Sequence, residues 1–165
     1  MRRKKQSLSE AQILAVVKRN SYGILSLCDK DGRPYGVPLN YVYENGCFYF
    51  HCALNGYKTE LIDADGRASF CIVDKDTVTP ETFSTEYISV IAFGEVARIE
   101  EEGEKRRTLW LLTDALGDSD PDKKGKEIEG AFSRVEMLRF RVEEISGKAG
   151  LFLMKELDAC FPELR

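Results

Sequence analysis

The chain has 165 residues, 43% of them hydrophobic and 32% charged, with a formal net charge of -4. That length suits one domain spanning 1–165 with a sizeable core, and the acidic balance argues against a nucleic-acid partner, whose footprint is normally basic. No apolar run approaches the ~20 residues that span a bilayer, and the basic opening Arg2-Arg3-Lys4-Lys5 leads into a polar, amphipathic segment rather than a secretory leader.

Cys28, Cys47, Cys52, Cys71 and Cys160 are odd in number, and no CxxC pair is present. With one histidine there are too few ligands for the common zinc sets. The expectation is therefore buried free thiols in a reducing cytoplasm, with the basic tip a solvated terminus.

Ser7 and Glu10 fit a capping box, and Ala11, Leu14, Ala15 and Val17 predict a helix over about 8–20. Ser21–Cys28 alternates as a strand, and Asp29-Lys30-Asp31-Gly32 reads as a turn. The next strand puts Tyr35, Val37, Leu39, Tyr41 and Tyr43 on one face, while Pro34 and Pro38 mark it as an edge or a bulge. Asn45-Gly46 predicts a tight hairpin turn. After it, Phe48, Phe50 and Cys52 share one face of a strand, and Cys47, Tyr49 and His51 share the other.

Tyr57–Asp65 predicts a short helix with Leu61 and Ile62 inward, and Arg67–Val73 another strand. Asp74–Phe83 reads as a polar connection. Tyr87–Ile99 is a long strand in which Gly94 marks a bulge or a close approach. Helices follow at Glu100–Gly117 and Lys123–Phe132, then a last strand at Val135–Ile145. An irregular tail over about 147–165 is expected to pack Phe152, Leu153 and Phe161 on the body. Six strands joined by tight turns, with flanking helices, predict a mainly β fold, a small antiparallel barrel.

Chemistry concentrates in Tyr35–Lys58. Lys58 follows Gly56 at the start of a helix, where an ammonium and free backbone N–H groups can hold a phosphate. Neither GxxxxGK[ST] nor GxGxxG is present, so this is no Walker or dinucleotide loop. His51 titrates near neutral pH and suits either a structural or a chemical role. Cys52 and His51 are adjacent on a strand and face opposite ways, so they make a poor nucleophile–base pair. The neighbouring aromatic residues fit a core or the wall of a planar ligand.

The runs DGRPYGVPLNYVY, GCFYFHCALNGYKTELI and YISVIAFGEVARI, in that order, resemble the FMN-binding split barrel of the pyridoxamine-phosphate-oxidase-like superfamily. Within it they are most similar to Nim-type 5-nitroimidazole-resistance proteins. The resemblance implies a six-stranded antiparallel split barrel and a cytoplasmic homodimer with FMN at the subunit interface. Val37, Pro38, Leu39 and Asn40 would lie along the flavin ring. His51, Cys52 and Ala53 would border the ring and ribityl chain, and Lys58 would pair with the phosphate. Ser89 and Val90 sit where the family reaches the cofactor near the interface.

Two departures matter. The Arg-Lys pair common in the true oxidases is Tyr57-Lys58 here, which leaves Arg67 or a basic residue of a second subunit to compensate. The basic C-terminal Arg-x-x-Asp-Arg-like motif for a vitamin B6 phosphate is absent as well. The implied function is an FMN-dependent oxidoreductase that reduces small planar acceptors such as nitroimidazoles. His51 is its candidate catalytic residue, and a nicotinamide or another protein its electron donor. The alternatives are a flavin-binding or sensing protein without turnover, and a haem-binding split-barrel relative.

Overall fold

The computed structural model describes residues 4–117 and 120–164, so Arg2 and Arg3 of the basic tip lie outside the described residues. One antiparallel sheet runs in the order β2-β1-β5-β6-β7-β4-β3. Its strands are β1 (Tyr22–Cys28), β2 (Pro34–Asn40), β3 (Val42–Glu44), β4 (Cys47–Ala53), β5 (Arg67–Thr79), β6 (Ser84–Arg98) and β7 (Val135–Ala149). The helices are α1 (Glu10–Arg19), α2 (Tyr57–Ala64), α3 (Glu102–Leu116) and α4 (Pro121–Ala131).

Seven strands stand where six were expected, because the second predicted strand divides at Tyr41. Residues before it pair with β1, and residues after it pair with β4. The two edges of the sheet, β2 and β3, are thus consecutive in the chain and joined by one residue. A single residue spans only ~3.5 Å, so the sheet must curl until its edges meet. Tyr41 is fixed there by its N–H to the Ser21 carbonyl (3.0 Å) and its hydroxyl to the Val17 carbonyl (2.7 Å).

Inside the curl, Phe48, Phe50, Phe70 and Phe140 are fully buried. Phe48–Phe70 and Phe50–Phe70 ring centroids are each 5.0 Å apart, a tilted packing favoured by the ring quadrupoles. Ala15 and Val17 of α1 join this core as expected, but Ile13 and Val16 join them in place of Ala11 and Leu14, which stay exposed. Leu61 and Ile62 of α2 join it as their spacing predicts. The opposite face of β4 supplies Tyr49 to a second cluster with Met137, Ile99, Leu109, Leu112 and Ile128, beneath α3 and α4.

Several local expectations shift. The capping box is Ser9 with Gln12, not Ser7 with Glu10. Residues just before it belong to the sheet: Ser7 bridges Lys148, and the Leu8 N–H donates to the Gly147 carbonyl. Asp74–Thr79 continues β5 instead of forming a connection, after a register shift between Val73 and Lys75 that lets the polar stretch stay paired with β6. The last strand runs to Ala149, so the tail begins later than expected. In that tail Leu153 and Phe161 are buried but Phe152 is half exposed. Arg19 lies over the Phe161 ring at 4.7 Å and pairs with Asp74 and Glu163, tying α1 to the tail. All five cysteines are free, yet only Cys52 is buried; Cys28 is exposed and the other three are intermediate. Asn45 and Gly46 adopt φ of 50° and 80°, the hairpin conformation their sequence predicts.

Gly94 sits at a register shift between β6 and β7, and a Cβ there would come within 2.0 Å of the Arg141 carbonyl oxygen. Gly94→Ala is therefore expected to destabilise the fold by about 3 kcal/mol or more. Gly130→Ala, where an added Cβ meets open space on α4, should be neutral or stabilise by up to ~1 kcal/mol. Equilibrium denaturation of both variants checks the contrast; similar midpoints would remove the close-approach argument.

Candidate functional site

Strand β4 ends at Ala53, and Leu54-Asn55-Gly56 delivers the chain to α2. Gly56 is the N-cap of α2, with φ of 152° and no capping side chain. The first intrahelical bond runs from Glu60 N–H to the Gly56 carbonyl, so the N–H groups of the first turn have no helical partner. No side chain projects from Gly56, and the approach is open. The loop is held from behind by Arg98. Its guanidinium donates to the Leu54 carbonyl (2.9 Å), to both Asp63 carboxylate oxygens (2.8 Å each) and to Glu136 (3.2 Å). One side chain thus fixes the loop, α2 and β7 together.

Lys58 stands in the first turn of α2, and its charge is felt by both His51 and Cys52. The His51 imidazole is pushed below its ordinary value, first by desolvation and then by Lys58. It is therefore neutral at pH 7, with one ring nitrogen to donate and one to accept. Burial pushes the Cys52 thiol up despite Lys58, so Cys52 is no thiolate nucleophile. His51, Cys52, Ala53 and Lys58 are thereby brought to one corner. Cys52 faces the core, while His51 and Ala53 face outward.

The start of β2 meets this corner through an edge-on Tyr35–Tyr57 pair with centroids 5.1 Å apart. The Tyr57 hydroxyl donates to Asp29 (3.3 Å), and Arg33 places its charge on both Asp29 and Tyr57. Arg33 is the basic residue that sequence reasoning missed: it lies in the β1–β2 turn, distant in sequence, and only the hairpin register returns it here. Arg67 is already engaged, since its guanidinium grips Asp65 and holds that carboxyl down to about 2.

Val37 and Leu39 turn toward the core, whereas Pro38 and Asn40 face out, Asn40 donating to the Ser21 carbonyl. Ser89 and Val90 are not brought to the corner. Val90 is buried in the core, and both residues lie at the Gly147–Lys148 end of the β6–β7 ladder, opposite the Leu138 end where Arg98 reaches the corner. Ser89 belongs to the outer face of the sheet, where Ile24, Cys71 and Ile91 are aligned across β1, β5 and β6 beside Phe93. Phe93 is 50% exposed and Val73 52%, so this face is apolar and open.

On its other side His51 lines a cleft of about 200 Å³ between α3 and α4. A larger groove of about 520 Å³ lies between α1 and the tail and contains none of the predicted site residues. Among the described residues no cluster of three or more His, Cys, Asp or Glu could hold a metal, and no helix is long and apolar enough to cross a membrane.

Because desolvation is the larger cause at His51, Lys58→Ala should raise its pKa only part of the way to 6.5. The imidazole is disfavoured as a cation in the folded state, so its contribution to stability is full above pH 6.5 and falls as the pH drops through the lowered native value. Proton NMR titration of this single histidine reads both effects directly. An unchanged pKa in the variant would place Lys58 away from the ring.

A family model described as pyridoxamine 5'-phosphate oxidase matches residues 9–149. No curated protein matches the chain in sequence. Among solved structures, a candidate 5-nitroimidazole antibiotic resistance protein from Bacteroides thetaiotaomicron is similar at a TM-score of 0.74 and 21% identity, over 87% of this chain and 86% of that one. A conserved hypothetical protein from Mycobacterium tuberculosis gives 0.76 and 20%, over 88% of each chain. An FAD and heme binding protein from Mycobacterium smegmatis gives 0.70 and 18%, over 90% of this chain and 74% of that one. The family match covers all seven strands and the whole Gly56–Lys58 corner, and the curled antiparallel sheet is consistent with it: the chain belongs to the pyridoxamine 5'-phosphate oxidase-like split-barrel superfamily.

Proposed function

We propose that the chain is a homodimeric, FMN-dependent reductase of small planar acceptors. The observation that carries this reading is the corner itself. An uncapped helix N-terminus opens beside Lys58, with the Leu54–Gly56 loop braced by Arg98. A helix N-terminus and a lysine together suit a phosphate, and a glycine cap lets that phosphate come close to the backbone. Arg33, whose charge reaches Tyr57, is a candidate for a second phosphate charge, in place of the arginine that the true oxidases carry before the lysine.

The open outer face supports a second subunit as the other wall of the cofactor cleft. Covering Ile24, Ile91 and Phe93 with a second copy would remove an apolar surface from water, and would give Ser89 a route to a cofactor held by the other chain. Along β2, the exposed edge at Pro38 and Asn40 would lie against the flavin ring, with Val37 and Leu39 supporting it from the core side. His51, Cys52 and Ala53 would border the ring and ribityl chain, His51 through its neutral imidazole and Cys52 through its backbone.

When bound, FMN supplies the redox chemistry: a nitro group taking two electrons and two protons becomes a nitroso group and water, and a nicotinamide or a protein donor returns the electrons to the flavin. The chain's own part is to orient the ring and acceptor and to carry a proton at His51. Vitamin B6 phosphate oxidation is not part of the proposal, because the Arg-Lys pair of the true oxidases is Tyr57-Lys58 here.

The visible spectrum of the purified protein tests the cofactor. Flavin bands are expected, and a Soret band would instead point to haem with His51 as its ligand. Bleaching by NADH or NADPH, then reoxidation by a nitroimidazole, separates a reductase from a flavin-binding or sensing protein without turnover. Lys58→Ala should weaken FMN binding by about 2 kcal/mol, about thirtyfold in Kd; unchanged affinity would defeat the phosphate role.

A further inference from the structure

We propose that the cleft between α3 and α4 is a binding site for compact, single-ring, largely apolar compounds, with His51 in its lining. Its walls are Leu112 and Leu116 of α3 and Ile128 of α4, and Glu127 stands at its rim. The site deepens the reductase reading by giving the electron acceptor a seat beside the flavin corner, and its role in electron transfer rests on that reading. Its existence as a binding site does not.

Three features argue for a built cleft over a packing gap. First, the helices are braced. Lys124 pairs with Asp114 at 2.5 Å and Arg106 with Glu129, while the Trp110 indole closes against Gly125 at the far side of the helix pair. Second, Leu116 is 51% exposed, whereas Leu112 and Ile128 are nearly fully buried beneath it. An apolar floor with an uncovered leucine at its edge gains by receiving an apolar guest. Third, the polar groups are few and sit at the periphery. Neutral His51 both donates and accepts. The Thr113 hydroxyl donates to the Leu109 carbonyl (2.8 Å), which leaves its oxygen free to accept. Glu127 accepts N–H donors and repels anions.

Volume sets the size class. The cleft holds about 200 Å³, below the roughly 300–1,000 Å³ of pockets for drug-sized ligands. It suits one five- or six-membered ring with small substituents. It excludes a second flavin, a haem or a nicotinamide nucleotide, which must act from elsewhere.

The test is run on flavin-free protein, with the His51 ring protons as reporter and Leu116→Trp as the variant. Leu116 is half exposed, so its replacement spares the core, and the indole would fill the cleft. In the wild type, 2-methyl-5-nitroimidazole and nitrobenzene should shift the His51 resonances saturably, and 1-nitronaphthalene should not. Leu116→Trp should weaken the one-ring probes at least tenfold while the FMN Kd stays unchanged. One-ring affinity that survives in Leu116→Trp, or equal binding of the two-ring probe, overturns the proposal. Parallel loss of FMN binding also overturns it, because the two sites would not be separate. Wild-type protein that ignores FMN but binds the one-ring probes would sink the flavin reading and keep this site.

Discussion

The structure depends on the closure at Tyr41. Two strands that lie at opposite edges of the sheet are neighbours in sequence, and one residue makes the turn between them. That constraint leaves no flat solution. The sheet must curl, its inner side chains must fill the enclosed space, and four buried phenylalanines do so. Tyr41 pins the corner to α1 through the Val17 carbonyl, so the helix that caps the barrel and the seam that closes it are held by the same ring. Burial raises the phenol's pKa, which keeps this hydroxyl a donor across the physiological range.

From that closure the candidate site inherits its geometry. Strand β4 presents alternate residues to two environments: Phe48, Phe50 and Cys52 go to the barrel, and Tyr49 and His51 go to the space under α3 and α4. The strand ends where α2 begins, so the outward histidine and the first-turn lysine become neighbours without any long-range contact. Long-range contacts then stiffen the junction. Arg98, arriving from β6, holds a loop carbonyl, a helix carboxylate and a β7 carboxylate at once. Partly buried and multiply bonded, it is worth more than a surface pair, whose contribution is typically below ~1 kcal/mol.

Much of this was legible in the sequence, and for physical reasons. Alternation separated the two faces of β4, because a strand's side-chain period is two whatever surrounds it. Asn45-Gly46 announced its turn because few residues accept positive φ twice in succession, and Gly94 announced a close approach that the Arg141 carbonyl makes real. The failures lie where tertiary partners override local pattern. The helix start moved to Ser9 because a bridge to β7 claims Ser7. Asp74–Thr79 looked like a connection because it is polar, yet a paired neighbour keeps it extended. Arg33 was invisible as a site residue because only hairpin register carries it to Tyr57, while Arg67, visible in the sequence, proves committed to Asp65.

The β4–β7 ladder joins segments far apart in the chain, Cys47 with Arg141 through Ala53 with Val135. Closing so long a loop carries an entropic cost that the local β1–β2 and β3–β4 hairpins avoid. His51 and Lys58 meet locally, but the strand that carries His51 is held in the sheet by this long-range ladder. A ligand that grips this corner selects molecules in which the ladder is complete, and raises their population by mass action. Occupancy and topology are coupled in this way: filling the site acts as a latch on a long-range seam of the fold.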